Sequence, residues 1–375
     1  MSITPIVQFG TSRFLQAHAD LFISEALERG TALGPICVVQ SSGNAERARR
    51  LSALSAPEGY PVRIEGIEGR RAISFETRVT SVARTLSTAD DFPEISRIVA
   101  EEAEIILSNT GDAGWVQKPA DTMPAFHQEM SYPAKLTHLL LARFRAGGKP
   151  IQIMPTELVA QNGTTLRQLV IAIARPLSDD FAEWLGRDVM FVNSLVDRIV
   201  SEPLEPAGAV AEPYALWAIE DCPGLRLPCK HPAVQVVRSL EQTEALKLYI
   251  LNLGHSYLVD GWLRRDRKGA EYVRDLMSQP AVRAELEDLY AREVLPGFEV
   301  AGMGSEAKHY IETTLDRFSN PYLEHRLSDI AQNHPEKLRR RIGAFLDWSV
   351  ERGVMVRQPR LSEILNTVAQ TEVSQ

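Results

Sequence analysis

The first half of the chain alternates short apolar runs with segments of helical spacing. Ile3 to Phe9 is apolar and extended, and Arg13 to Glu28 repeats its apolar residues at helical intervals before Gly30, which predicts a β-turn-α unit. Pro35 to Gln40 (PICVVQ) reads as a second strand that ends in Ser41-Ser42-Gly43-Asn44, and a helical stretch from Ala45 to Leu54 follows. This β-α-β order predicts a parallel sheet. Further strands are expected at Ile73 to Val79, Glu104 to Ser108, Ile151 to Met154 and Met190 to Asn193. Helices are expected at Asp91 to Glu102, Tyr132 to Ala146, Gly163 to Ala174 and Phe181 to Leu185. In such a sheet ligands bind outside the carboxyl ends of the strands, so the turns that follow them are the places to look.

From about Glu241 the texture becomes helical throughout. The expected segments are Glu241 to Trp262, Glu271 to Leu276, Ala281 to Val294, Glu306 to Phe318, Pro321 to Gln332 and Pro335 to Glu351, with a tail after Arg357 that folds back. Between the two textures lies a Pro- and Gly-rich junction, Pro203 to Pro232, which contains the β-like Tyr214 to Ile219, with Val234 to Val237 just beyond. An α/β sheet domain over 1–235 with extra strands, followed by a mostly α-helical domain over 236–375, is the organisation this predicts.

Composition narrows the function classes. Of 375 residues, 44% are hydrophobic and 24% charged, which is enough apolar surface for a sizeable core. The 41 basic against 49 acidic residues give a net charge of −8, which argues against a polyanion such as nucleic acid as partner. Cys37, Cys222 and Cys229 form neither a CxxC pair nor a zinc pattern, so a reduced, cytoplasmic chain without a metal is expected. The start MSITPIVQFG lacks the basic and apolar regions of a leader, and no apolar run reaches the ~18 residues of a membrane helix, so no membrane partner is expected.

Two segments offer chemistry. Phe9-Gly10-Thr11-Ser12-Arg13-Phe14 stands where a dinucleotide phosphate loop would stand, but Ser12 occupies the position of the second glycine of G-x-G-x-x-G, so a cofactor loop and an ordinary βα turn both remain open. The second segment runs from Glu244 to His255. At 100° per residue Asn252 and His255 fall about 140° and 80° from Lys247, so all three can face one pocket, with Glu244 on the same side. A lysine lowered toward neutrality by burial is a general acid/base, and Asn and His donate hydrogen bonds to a carbonyl or alkoxide oxygen. A solvated lysine, a capping Asn and a satisfied core His fit the same spacing. Leu246, Leu248, Ile250, Leu251 and Leu253 make the surroundings apolar, and buried polar groups need partners.

At this point the chain resembles the polyol-specific long-chain dehydrogenases, a family that includes mannitol 2-dehydrogenase, mannitol-1-phosphate dehydrogenase and the fructuronate and tagaturonate reductases. The likeness runs essentially end to end. It is carried by FGTSRFLQAHADLF, SNTGDAGW from Ser108, YPAKLTHLLLARF from Tyr132, PTELVAQNG from Pro155, FVNSLVDRIV from Phe191, EPYALWAIED from Glu212, KLYILNLGHS from Lys247 and RFSNPYLEHRL from Arg317. K-x4-N-x2-H is the family's catalytic signature.

The resemblance implies a Rossmann-type NAD(P)-binding domain, a helical substrate domain and a metal-independent dehydrogenase that interconverts a linear polyol or sugar acid with its ketose or keto-acid. It casts Lys247 as general acid/base, Asn252 and Asn193 as the pair that hydrogen-bonds the reacting oxygen, His255 as the substrate-orienting histidine and Glu244 as part of a proton path. Substrate contacts carry over to His325, Arg326 and Lys337. Cofactor contacts carry over to Phe9, Gly10, Thr11, Ser12, Arg13, Phe14, Gln40, Ser41, Ser42, Ser108, Asn109 and Thr110. Ser12 and Gln16 depart from the family's first loop, leaving Gly10 and the helix N-terminus for the pyrophosphate. No acidic residue follows the second strand, where Gln40 to Gly43 stand with Arg47 downstream. That permits a 2′-phosphate, while the uronate-reductase branch looks similar there and favours NAD.

Two alternatives stand beside this reading. A phosphorylated polyol such as mannitol 1-phosphate would use the run Arg264, Arg265, Arg267 and Lys268, and a non-catalytic nucleotide-binding relative would explain the altered loop. The expected partners are a small-molecule polyol, ketose or sugar acid, and the expected assembly is a monomer or small homo-oligomer.

Overall fold

The computed structural model describes residues 3–44, 50–69 and 71–373. The chain divides into two compact units, one of Met1–Ile64, Phe75–Ala211 and Ala215–Leu240, the other of Glu65–Ser74, Glu212–Tyr214 and Glu241–Gln375.

The first unit is built on six parallel strands, β1 (Ile6–Phe9), β2 (Ile36–Gln40), β3 (Val82–Ser87), β4 (Ile105–Ser108), β5 (Ile151–Pro155) and β6 (Val189–Phe191), in the spatial order β3-β2-β1-β4-β5-β6. This is the doubly wound dinucleotide-binding order, with its switch point between β1 and β4. Successive residues serve opposite faces. Ile36 and Val38 enter one core with Ile6, Phe22 and Trp217, whereas Cys37 and Val39 enter another with Phe9, Leu136 and Leu166. Burial on both faces is why these strands read as continuous apolar runs.

The expected strand at Met190 to Asn193 corresponds to β6, and a further strand, Ser194–Asp197, follows it and joins Leu216–Glu220 and Val234–Val237 in a small sheet. Strands that went unexpected include β3, Tyr60–Glu68, Val200–Pro203 and Ala209–Ala211. The expected helix Arg13 to Glu28 is two pieces, Arg13–Gln16 and Ala19–Glu28. Arg198 Nη1 takes the Ala17 carbonyl at 2.7 Å and the His18 ring bonds the Leu216 carbonyl at 3.0 Å, and these partners hold the break open. Arg47 and the start of the expected helix Ala45 to Leu54 lie outside the described residues, and the described remainder is helical over Leu51–Leu54.

The second unit is helical around one core that includes Leu253, Val259, Leu286, Tyr290, Phe298 and Phe345. Among the described residues, three of its helices contain a π-helical stretch, at Lys247–Asn252, Tyr290–Val294 and Arg339–Gly343. The segment after Arg357 forms the helix Pro359–Val373, with Leu361 and Ile364 in the same core. Pro321 to Gln332, expected as a helix, is helical only over Leu327–Ile330. Residues 325–327 are instead drawn into extended pairing. The Val273 N–H donates to the His325 carbonyl, and the Leu327 N–H donates to the Glu271 carbonyl, both at 3.0 Å. Among the described residues no helix is long and apolar enough to cross a membrane.

Candidate active site

In the sheet unit the ends of β1, β2 and β4 converge. The Gly10 N–H donates to the Val39 carbonyl at 3.0 Å and the Asn109 N–H to the Phe9 carbonyl at 2.9 Å. Gly10 has φ +127, and a Cβ there would lie 2.5 Å from the Asn109 carbonyl oxygen, so only glycine fits the switch point. Ser12 has its own task. Its hydroxyl accepts the Leu15 N–H at 3.2 Å, capping the helix Arg13–Gln16, and sits 3.3 Å from Asn109 Oδ1. Gln16 closes the loop by donating to the Thr11 carbonyl at 3.1 Å and accepting the Gly208 N–H at 2.7 Å.

The twelve residues expected at the cofactor therefore divide. Gly10, Thr11, Ser12, Ser41, Asn109 and Thr110 lie at strand ends and are at most partly exposed, and Ser42 is exposed. Phe9 is core, 5.5 Å from the Tyr132 ring, and Phe14 stacks on His18. Ser108 is buried, its hydroxyl donating to Glu157. Gln40 ties Ser42 and Asn44 to β2. Arg13 is a correction: its guanidinium is spent on the Leu204 and Gly208 carbonyls at 2.8 and 3.0 Å and on Glu205 at 2.7 Å.

Two features of this unit were missed from sequence. Buried Glu157 accepts from Ser108 Oγ, the Thr110 N–H and Thr110 Oγ1, which fixes the turn after β4. A cavity of about 530 Å³ opens beyond β2, lined by Ser41, Ser42, Thr110, Lys118, Glu129 and Lys135 among others. Lys135 is 3% exposed and donates to the Ser41 carbonyl. Burial, with Lys118 nearby, pulls its pKa down to about 8. A lysine on the helix Tyr132–Arg145, whose other residues from Ala134 to Leu141 are mostly apolar, was the available signal. Asn193 also belongs to this unit, where its Oδ1 accepts the Thr164 N–H at 2.9 Å and its Nδ2 donates to Glu220 at 2.8 Å and Thr164 Oγ1 at 3.2 Å.

In the helical unit the geometry of K-x4-N-x2-H differs from the α-helical expectation. Lys247 begins and Asn252 ends a π turn, in which the backbone closes from i to i+5. The 140° separation of a regular helix is therefore largely taken up, and the two side chains come nearly onto one face. Both are partly buried, and Glu244 is exposed one turn earlier on the helix Glu241–Leu246.

His255 follows in the first turn of Leu253–Arg264, 5% exposed, its ring 4.3 Å from Phe318 and 4.6 Å from His325. Its Nε2 is buried without a hydrogen-bond partner. Burial, then His325, Arg341, Arg317 and Lys337 around it, hold its pKa well below the usual imidazole value, so it is neutral at pH 7. Burial, then Arg317, Arg341 and Lys337, opposed by Asp329, also lower the His325 pKa.

The extended pairing at 325–327 sends alternate side chains opposite ways. His325 turns to His255, whereas Arg326 is exposed, ion-paired with Glu271 and over the Tyr272 ring at 5.3 Å. The expected substrate contact at Arg326 is thus not assembled with the others. Arg341, unexpected from sequence, takes that place. It donates to the Asn252 carbonyl at 3.3 Å and Ser256 Oγ at 3.1 Å, and Lys337 donates to the Ile330 carbonyl at 2.8 Å. Neither cation has a carboxylate in ion-pair range among the described residues, in contrast to Arg317, whose charge is met by buried Glu212 at 2.8 Å. The run Arg264 to Lys268 lies at a solvent-facing helix end, with Arg264 paired to Asp260 at 2.7 Å. Among the described residues no group of three His, Cys, Asp or Glu is placed to hold a metal ion.

Against known protein families, residues 4–228 match the mannitol dehydrogenase Rossmann domain and residues 239–369 match the mannitol dehydrogenase C-terminal domain. The chain belongs to the mannitol dehydrogenase family. Relatives include an altronate oxidoreductase of Bacillus subtilis (strain 168), 29% identical over 374 residues, with 93% of this chain and 76% of that protein covered. Another, from Enterobacter sp. (strain 638), is 30% identical over 367 residues and covers 90% of this chain and 73% of that protein. Among solved structures, a substrate-free D-sorbitol dehydrogenase has a TM-score of 0.82 at 20% identity, covering 93% of this chain and 77% of that one. The Pseudomonas fluorescens mannitol 2-dehydrogenase ternary complex with NAD and D-mannitol has 0.73 at 19%, covering 98% and 79%. These two share the fold. As a member of the mannitol dehydrogenase family, the protein is an oxidoreductase of CH–OH groups.

Proposed function

We propose that the protein interconverts a sugar acid of the altronate type with its keto-acid, using NAD, and that Lys247 is the general acid/base. One observation carries the reading. Lys247 and Asn252 stand at the two ends of a single π turn, beside a buried neutral His255 and two cations, Lys337 and Arg341, whose hydrogen bonds go to neutral acceptors. NAD, held at Gly10 to Ser12, Ser41, Asn109 and Thr110, supplies the hydride acceptor when bound.

The chain's residues divide the remaining work. Lys247 takes the hydroxyl proton during oxidation and returns it during reduction. The Asn252 amide donates to the reacting oxygen as charge develops there, and His255, kept neutral by burial, has Nε2 left for a substrate hydroxyl. Both amide hydrogens of Asn193 go to Glu220 and Thr164, so no contact with the reacting oxygen is assigned to it, and Glu244 is assigned to proton exchange with solvent. A carboxylate suits Lys337 and Arg341, because a bound anion meets two partly buried cations that lack a counter-charge. The altronate oxidoreductases among the relatives support that choice over a neutral polyol, and the ion-paired surface setting of Arg264 does not favour a phosphate ester.

The test is reduced-nicotinamide absorbance with altronate, mannitol and mannitol 1-phosphate, each with NAD and NADP. The expected order of kcat/KM is altronate with NAD first. Preference for mannitol or its phosphate contradicts the carboxylate assignment, and preference for NADP would assign the Lys118 and Lys135 cavity to a 2′-phosphate.

A further inference from the structure

A π turn leaves backbone carbonyls without the i+4 partner of a regular helix, so a buried one needs its hydrogen bond from elsewhere. In the Lys247–Asn252 turn the Leu253 N–H is divided between the Leu248 and Ile250 carbonyls. Ile250 is fully buried, and its carbonyl receives a second donor, the hydroxyl of Tyr290, at 2.8 Å. Tyr290 itself is 1% exposed and opens another of the π stretches, Tyr290–Val294.

The approach is possible because residue 254 is glycine. A Cβ on Gly254 would stand 1.9 Å from the Tyr290 hydroxyl oxygen and 3.1 Å from the Phe318 ring. Gly254 has no positive φ, so close approach rather than backbone conformation is what demands glycine there. Burial also pushes the Tyr290 pKa far above its usual value, which keeps the hydroxyl a donor throughout the pH range of turnover.

We infer that Tyr290, admitted by Gly254, is a positioning residue that locks the π turn so that Lys247 and Asn252 present to the same oxygen. The inference rests on the roles proposed above for those two residues. Tyr290 acts through the Ile250 carbonyl.

Tyr290→Phe keeps the ring and its apolar contacts and removes only the donor. The expected result is a fall in kcat of about tenfold or more, equal in kcat/KM, with NAD affinity unchanged and the kcat–pH profile altered. Unchanged kcat and pH profile with a lowered melting temperature would make Tyr290 a packing residue and overturn the inference. Amide exchange on the unaltered holoenzyme gives a second readout that needs neither variant nor turnover. Residues 247–254 should be protected as well as the helix Leu253–Arg264, and rapid exchange confined to the turn would refute the lock. Loss of all wild-type turnover on altronate and mannitol would instead count against the proposed function, and the exchange result would still decide the lock.

Discussion

The turn after β1 and the turn that carries Lys247 are both short departures from regular structure, and they are held in different ways. At the first, the constraints are local: Gly10 supplies a φ of +127, Ser12 caps the helix that follows, and Gln16 reaches back to Thr11. At the second, the residues between Lys247 and Asn252 are ordinary helix formers, and the π geometry is backed by distant side chains, Tyr290 on the Ile250 carbonyl and Arg341 on the Asn252 carbonyl. A conformation written in its own residues is open to change at one position. A conformation imposed by packing can be released from forty or more positions away in the chain.

The largest effect expected from breaking the local case is at Gly10. Gly10→Ala places a Cβ against the Asn109 carbonyl in a backbone region disfavoured for L-residues, at a cost of about 3 kcal/mol. NAD titration should show binding lost, while thermal unfolding should show the sheet unit destabilised. Binding that survives unaltered would mean the turn is not the cofactor's cradle.

A smaller effect separates the units by pH. His18 in the sheet unit and His255 in the helical unit are both buried and neutral. His18 has its pKa lowered to about 3 by burial, opposed in part by its bond to the Leu216 carbonyl. A histidine whose folded pKa lies below its unfolded value of 6.5 contributes full stability above pH 6.5. That contribution is lost as pH falls, because only the unfolded chain takes up the proton. Below pH 6.5, denaturant titrations down to pH 4 should therefore lose stability with a slope near 1.4 kcal/mol per pH unit from His18. His18→Gln should flatten the part that belongs to the sheet unit. An unchanged slope in that variant would show that His18 does not titrate as its burial requires.

The same contrast explains what was legible in the sequence. PICVVQ announced a strand of the parallel sheet, and strand ends that terminate in Gly10, Ser41 and Asn109 announced the ligand side of the sheet. Tyr60–Glu68 carries the alternating pattern of a half-buried strand, with Tyr60, Val62 and Ile64 buried, but Pro61 and Gly66 interrupt it. In the site, Lys247, Asn252 and His255 were visible by spacing. Their π geometry was not, since nothing between 247 and 252 encodes it. Arg341 and Tyr290 were invisible for the same reason, each being defined by a partner in another helix. Arg326 was misplaced because a pairing between residues 325–327 and 271–273, remote in sequence, replaced the helix that local pattern predicted.

Lys247→Ala in a rapid-mixing experiment with altronate and saturating NAD tests the central claim most directly. The account predicts that hydride transfer falls by two to four orders of magnitude, roughly the range of a lost general acid/base, while NAD affinity measured by titration stays at the wild-type value. Near wild-type hydride transfer in that variant would contradict it.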